Sequence, residues 1–198
     1  MASVQPLPST MIRLIVRLEA SDINPSSFAA LPKTMYRAGT SYCRIDEQPD
    51  AASGIHGSII VNLPDIWMVN HLDHTARHQD PGEGFVFNMP MFVDADPKSA
   101  SAAMLKPLEF GMELQYFKAK EAKTAPGPDI KGLATLAYTF VFGDTSLSML
   151  TSGLPERPVV VGRKQGATRE TYWYSSYDEV PFDPALFAKP AGKIEEVK

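Results

Sequence analysis

The sequence predicts an α+β fold: a curved, half-open antiparallel β-barrel or sheet whose concave face is covered by one or two short helices. The chain has 198 residues and 17 prolines, and so many prolines leave little room for long helices. Runs rich in β-branched and aromatic residues recur between glycine, proline and asparagine clusters, which is typical of strands joined by turns. One apolar, methionine-rich segment, residues 85–105, interrupts these runs and is the natural cover for the sheet.

Length and composition predict one globular domain over residues 1–198, with a core at about 11–190 and flexible ends at 1–10 and 191–198. Hydrophobic residues make up 44% and charged residues 21%, as in ordinary globular proteins. The net charge of −4 argues against a nucleic-acid-binding protein. The chain has no run of 18 apolar residues, so no transmembrane segment is predicted.

The first half predicts a meander of antiparallel strands. Arg13, Arg17 and Glu19 share one parity of the first strand, which therefore has one wetter face. Gly39 marks an expected bulge in the second strand. The predicted strands are 11–19, 34–47, 56–63, 65–70 and 75–79, with a helical turn at 27–30 and a hairpin loop at 71–74.

The middle of the chain predicts one helix over residues 97–106. Asp96 is the expected N-cap, Pro97 suits the first helical position, and Pro107 ends the helix. The second half predicts another meander with a loop at 124–129, and the length of 113–119 allows a strand or a helix. The further predicted strands are 133–142, 147–151, 158–164 and 168–175.

All four histidines fall within 23 residues. His71, His74 and His78 have ligand types suited to zinc, and they would share one face if the segment were helical. Asn70 and Asp73 are typical turn residues of a hairpin. The histidines are therefore interpreted as solvated loop residues, and the metal site stays an alternative. Cys43 is interpreted as a buried strand residue. The chain lacks phosphate-cradling, dinucleotide-binding and serine-nucleophile motifs, so no cofactor and no catalytic residue is predicted.

Several short motifs resemble the lipoprotein-carrier superfamily, the LolA/LolB-like proteins. A Gly-Leu-Pro stretch at 153–155 precedes a strand and an aromatic run at 171–175, followed by Val-Pro-Phe-Asp-Pro at 180–184. Three further motifs of the family, which lie earlier in its sequences, have similar counterparts here. They are the Arg-Ile-Asp run at 44–46, the hairpin at 67–77 and residues 132–138. The resemblance covers most of residues 34–190. The sequence departs from the family in lacking a long first helix and in having a short middle lid.

The resemblance implies a hydrophobic cavity and a protein that carries acyl chains or lipoproteins in the bacterial envelope. It implies that Arg44, with Arg37 as the competing position, donates hydrogen bonds to the lid backbone; a guanidinium suits this role because it offers five directed donors. Methionines in the lid would adapt to irregular apolar ligands. The expected ligand-binding residues are Arg44, Trp67, Phe85, Phe87, Met89, Met91, Phe92, Met104 and Leu105.

The function expected from the sequence is therefore that of an envelope binding or carrier protein. Its partner would be an apolar small molecule, a lipid or a lipoprotein, with a possible protein partner in the envelope. A periplasmic or secreted location is expected, with an export signal removed ahead of residue 2, and a cytoplasmic location is the alternative. The sequence leaves open an enzyme that uses the same cavity or the histidine cluster, and a structural component of an envelope complex.

Overall fold

A computed structural model describes residues 6–197 of the chain. Within this range the chain forms twelve strands, two α-helices and two 3-10 helices. The strands are β1 (Thr10–Ala20), β2 (Lys33–Ala38), β3 (Tyr42–Glu47), β4 (Gly57–Asn62), β5 (Asp65–Asn70), β6 (Thr75–Gln79), β7 (Lys123–Pro126), β8 (Leu136–Phe142), β9 (Thr145–Ser152), β10 (Arg157–Gln165), β11 (Thr168–Pro181) and β12 (Lys193–Glu196). The helices are α1 (Ala100–Leu105) and α2 (Glu113–Ala119), and the 3-10 helices are Phe28–Ala30 and Pro184–Phe187.

The strands form one open sheet in the order β12-β6-β5-β4-β3-β2-β1-β11-β10-β9-β8-β7. The hairpins from β2 to β6 and from β7 to β11 pair antiparallel, whereas β12 pairs with β6 in parallel. The predicted α+β class, a mostly antiparallel open sheet with short helices, is confirmed. In the described range no helix is long and apolar enough to cross a membrane.

The chain divides into two compact units. The first consists of residues 1–14, 33–87 and 178–198, taken within the described range of 6–197. Its core contains a cluster formed by Met11, Ala38 and Phe187, with Tyr42 and Phe182 packed against it. The phenyl ring of Phe187 stacks on Phe182 and meets Tyr42 edge-on, at centroid distances of 5.4 and 5.5 Å. Aromatic packing therefore anchors the 3-10 helix Pro184–Phe187 in this unit.

The second unit consists of residues 15–32 and 88–177. Here α2 packs against β8 and β10, and the extended segment before α1 is tied to the stretch before α2. Backbone hydrogen bonds join Met91 N to Leu108 O (3.0 Å) and Phe110 N to Met89 O (2.9 Å). The buried apolar side chains of this unit include Met89, Met91, Phe92, Leu105, Leu108, Phe110 and Phe117.

The single strand predicted over residues 34–47 is wrong, because the chain turns in its middle. Ala38 pairs with Tyr42, so residues 39–41 form the loop of a hairpin between β2 and β3. Gly39 has φ = +63°, a backbone conformation that glycine adopts without steric cost. The glycine that suggested a bulge therefore starts a turn.

The helix predicted over residues 97–106 exists but begins later. The N-cap of α1 is Ser99, whose Oγ accepts a hydrogen bond from Ala102 N at 2.9 Å. Asp96, the expected cap, accepts from Lys98 N in the preceding turn. The open choice for residues 113–119 resolves as a helix, because Glu113, Tyr116 and Phe117 lie buried at helical spacing.

Two edge strands were not predicted. β7 falls largely within the expected loop at 124–129, and β12 falls within the expected flexible end at 191–198. Both strands are four residues long and join the sheet by backbone hydrogen bonds. Because this pairing does not depend on particular side chains, the sequence shows little hydrophobic pattern there. The expected flexibility of residues 1–5 concerns a stretch outside the described residues. The prediction of a single domain stays a prediction.

Candidate functional site

An apolar surface groove lies in the second unit and is called the Trp173 groove. Five apolar side chains from four separate chain segments line it, and its volume is about 510 Å³. Leu133 is 51% exposed, which is a high value for a large apolar side chain placed beside other apolar groups. The apolar lining residues are Pro32, Ile130, Leu133, Val159 and Trp173, and the others are Arg17, Lys131, Tyr174 and Ser175.

A tight hairpin tip builds one wall of the Trp173 groove. Ile130 and Leu133 exchange two backbone hydrogen bonds of 3.0 Å, and only Lys131 and Gly132 lie between them. Both central residues have positive φ (+53° and +82°), as a type I′ turn requires. Asp129 Oδ1 accepts a 2.6 Å hydrogen bond from Gly132 N, which fixes the turn. The turn therefore places Ile130 and Leu133 in the wall and Lys131 beside them.

Charged groups also line this groove. Arg17 extends from β1, half exposed, and its Nη2 lies 3.9 Å from Glu19 Oε2. The same Glu19 oxygen accepts a 3.0 Å hydrogen bond from Trp173 Nε1, so Glu19 orients the indole that forms part of the lining. Arg17 and Lys131 outweigh Glu19 by one positive charge. The groove therefore combines an apolar floor with a cationic rim.

A second groove runs beside α2, with a volume of about 680 Å³. It is lined by Gly111, Met112, Leu114, Gln115, Lys118, Ala119 and Tyr177. A smaller groove of about 420 Å³ shares Met112, Gln115 and Ala119 with it. This lining comes mostly from one short helix and its N-cap, whereas the Trp173 groove is assembled from several separate segments of the chain.

Behind the α2 groove lies a fully buried carboxyl group, that of Glu113. Its Oε1 accepts hydrogen bonds from Tyr174 Oη (2.6 Å) and Gly111 N (2.9 Å), and Oε2 accepts from Tyr177 Oη (3.1 Å). Burial raises the pKa of Glu113 above its ordinary value, although these donors oppose the shift. Burial also raises the pKa of the Tyr174 hydroxyl well above its ordinary value. The carboxyl group thus fixes the start of α2 to β11.

The predicted lid residues are mostly packed. Met89, Met91, Phe92 and Leu105 are each at most 3% exposed, and Met104 is half-buried. Phe85 is 41% exposed and Phe87 half-buried, and both belong to the first unit. None of these side chains lines the Trp173 groove or the two grooves beside α2. Their role as a ligand-covering lid stays a prediction.

An arginine does hold the backbone of this segment, but it is Arg163 on β10. Its Nη1 donates to Val93 O at 3.3 Å, and its guanidinium lies 5.3 Å from the ring centre of Phe92. Its Nε donates to Glu170 Oε2 at 2.6 Å, which completes a buried ion pair. Arg163 was not among the predicted site residues, although its charge directly after the apolar run at 158–162 was a signal for it.

Arg44 performs a similar function on a different segment. Its Nε donates to both carboxylate oxygens of Asp46 (2.8 and 2.9 Å), and its Nη1 donates to Leu186 O at 2.8 Å. Arg44 therefore holds the backbone of the 3-10 helix Pro184–Phe187, within the first unit. Arg37, the competing position, is 4% exposed, and its Nε donates to Gly39 O at 3.0 Å.

The histidines of the 71–78 region are engaged with protein groups. His71 Nε2 lies 2.7 Å from Ser58 Oγ, and burial lowers the pKa of His71. Both ring nitrogens of His78 face carboxylates, at 2.7 Å from Asp65 and 2.5 Å from Glu196, while Trp67 stacks on its ring. Within residues 6–197 no group of three or more His, Cys, Asp or Glu side chains is placed to hold a metal ion. This geometry does not fit the alternative zinc site.

The contacts of His78 predict that the attachment of β12 to β6 depends on pH. The hydrogen bonds to Glu196 and Asp65 raise the pKa of His78, so the attachment is strongest below 6.5 and weakens as the pH rises through the raised pKa. We expect hydrogen-exchange protection of the Val197 amide, which donates to His78 O, to fall between pH 6 and pH 9. His78→Gln should abolish this dependence, whereas His74→Asn, at an exposed position in the same hairpin, should retain it. Equal pH profiles in all three proteins would refute the role of His78.

The comparisons with known proteins concern the fold. No protein-family model matches the sequence, and no curated protein matches it. Among solved structures the chain is similar to an uncharacterized conserved protein from Thermus thermophilus, with a TM-score of 0.49, 8% identity and coverage of 96% of this chain and 92% of that one.

Two further solved structures are similar to the chain. LprF from Mycobacterium bovis has a TM-score of 0.46 and 11% identity, with 93% of this chain and 90% of LprF covered. A LolA superfamily protein from Nitrosomonas europaea has a TM-score of 0.38 and 9% identity, with 93% and 92% covered.

Proposed function

We propose that this protein is a non-enzymatic binding protein of the carrier type, which holds an apolar ligand such as a lipid acyl chain in the Trp173 groove. The observation that carries the proposal is the groove itself: five apolar side chains from four segments converge on about 510 Å³ of open space. Covering them would stabilise a complex by about 25 cal/mol for each Å² of apolar surface removed from water.

The rigidity of the groove supports this assignment. Trp173 is held by its hydrogen bond to Glu19, and Ile130 and Leu133 are held by the hydrogen-bonded turn. A preformed apolar surface binds more tightly than a mobile one, because little conformational entropy is lost when the ligand arrives. The groove therefore needs little rearrangement to accept an acyl chain.

The sequence motifs at 44–46, 67–77 and 153–184, which resemble those of lipoprotein carriers, support the same class of function. On this basis we extend the proposal to an envelope location and to a lipid or lipoprotein as the natural cargo.

The two tryptophans of the chain allow a direct test with 12-bromododecanoate, whose bromine quenches indole fluorescence on close approach. The Trp67→Phe variant retains Trp173 in the groove, and the Trp173→Phe variant retains Trp67, which is 5% exposed and does not line it. We expect saturable quenching in Trp67→Phe and almost none in Trp173→Phe.

A third variant, Leu133→Asp in the Trp67→Phe background, places a carboxylate in the apolar wall and should weaken the quenching. Unchanged circular dichroism would show that the fold is retained. Absence of quenching in Trp67→Phe, or equal quenching of both tryptophans, would contradict the proposal.

A further inference from the structure

We infer that the Trp173 groove selects a single-chain amphiphile with an anionic head group, a fatty-acid carboxylate, which Arg17 and Lys131 bind at its rim. This inference rests on the proposed function, because it adds the ligand class to the same groove. It depends on the charges around the groove and not on its apolar floor.

Arg17 and Lys131 reach the groove from two separate structural elements. Arg17 belongs to β1, beside the strand that carries Trp173, and Lys131 belongs to the turn that carries Leu133. An anion at the rim would therefore meet a cation on the strand side and another on the loop side. A guanidinium suits a carboxylate because it can donate two parallel hydrogen bonds.

The internal partners of these cations leave them available. The Arg17–Glu19 pair measures 3.9 Å and lies at the surface, where such pairs contribute little. No ion pair or hydrogen bond of the Lys131 side chain occurs within residues 6–197. The Tyr174 hydroxyl, the other titratable group of the lining, is already committed to Glu113. A ligand carboxylate would therefore compete only with Glu19, which is itself bound to the Trp173 indole.

The apolar floor makes the charge selection stronger than on an open surface. Once an acyl chain covers Trp173 and Leu133, water is excluded from one side of the rim, and the lower local dielectric strengthens the attraction between unlike charges. The same effect penalises a cationic amphiphile of equal chain length. The groove should therefore distinguish ligands that differ only in their head groups.

Isothermal titration calorimetry with dodecanoate, 1-dodecanol and dodecyltrimethylammonium tests this selection at pH 7.5, below the micelle concentrations. We expect dodecanoate to bind at least about fivefold more tightly than dodecanol, because Arg17 and Lys131 attract its carboxylate at a partly covered surface site. The cation should bind most weakly, because the same two residues repel it. Raising the salt concentration should weaken dodecanoate binding and leave dodecanol binding nearly unchanged.

Neutral variants distinguish the contribution of the charged rim to ligand affinity from that of the apolar floor. Arg17→Gln and Lys131→Asn, the latter chosen because asparagine tolerates positive φ, should each lower dodecanoate affinity about threefold to fivefold. Each should lower dodecanol affinity much less than dodecanoate affinity. Arg169→Gln and Lys164→Asn remove one positive charge each at exposed positions outside the lining, and they should leave both affinities unchanged.

The outcomes distinguish the inference from the proposed function. If no amphiphile binds, the proposed function itself is wrong. If dodecanoate and dodecanol bind equally, or if the control variants weaken dodecanoate binding as much as Arg17→Gln and Lys131→Asn do, the groove binds acyl chains without selecting the head group and the inference is overturned.

Discussion

Replacing Phe187 with alanine should lower the free energy of unfolding by about 3–5 kcal/mol, the range typical of a fully buried phenylalanine. Phe187 is 1% exposed, and its ring packs between Tyr42 and Phe182. Hydrogen bonds from Arg44 to Leu186 O and from Asn62 to Phe187 O also hold the 3-10 helix that carries it. Removal of the ring leaves a cavity in the first unit that the neighbouring aromatic side chains cannot fill.

Urea unfolding followed by far-UV circular dichroism measures this loss. Phe85→Ala is the matched control, because Phe85 belongs to the same unit and is 41% exposed. The control should change the stability by at most about 0.5 kcal/mol. A loss below about 1 kcal/mol for Phe187→Ala would show that the aromatic cluster does not anchor the 3-10 helix.

Replacing Glu113 with alanine should destabilise the protein nearly as much. The carboxyl group accepts hydrogen bonds from Tyr174, Tyr177 and Gly111. Each buried donor that loses its acceptor costs about 1–3 kcal/mol. Glu113→Gln retains an acceptor oxygen and should be far less harmful than alanine.

The pH dependence of stability gives a sharper readout for Glu113. Because burial raises its pKa, the folded protein binds the proton more tightly than the unfolded chain does. The stability contributed by this group is therefore highest below the ordinary pKa of 4.5 and is lost as the pH rises towards the raised value. Glu113→Gln should gain stability relative to the parent between pH 4.5 and pH 8.

Glu83→Gln, at an exposed loop position, controls for the loss of a carboxylate. Glu113→Gln should change the stability more than this control does. A stability difference between Glu113→Gln and the parent that stays constant across this pH range would mean that burial does not raise the pKa of Glu113.

The strands with dense runs of β-branched and apolar residues could be predicted from the sequence. β1, β4, β5 and β6 were found close to their bounds because turn residues bound these runs. β7 and β12 could not be found in this way, because edge strands held by backbone hydrogen bonds need no particular side chains. α2 was ambiguous because seven residues span too few helical turns to separate the two periods.

The candidate site was harder to predict than the fold. Most of the predicted ligand-binding residues lie in the methionine-rich segment 85–105. In the structure, however, the most apolar side chains of this segment are packed in the second unit. The Trp173 groove is assembled from residues separated by up to 158 positions, from Arg17 to Ser175, so no local motif marks it. Only the run Ile130-Lys131-Gly132-Leu133 gave a local signal, because glycine in a two-residue turn flanked by apolar residues indicates a hairpin.

The central claim is that an acyl chain occupies the Trp173 groove. The most direct measurement is a crystal structure of the protein with 12-bromododecanoate, in which anomalous scattering locates the bromine. We predict a bromine site in contact with the apolar lining of the groove, near Trp173 and Leu133, and a carboxylate within hydrogen-bond distance of Arg17 or Lys131. A bromine site beneath the segment 85–105 or beside α2, with the Trp173 groove filled by water alone, would contradict this account.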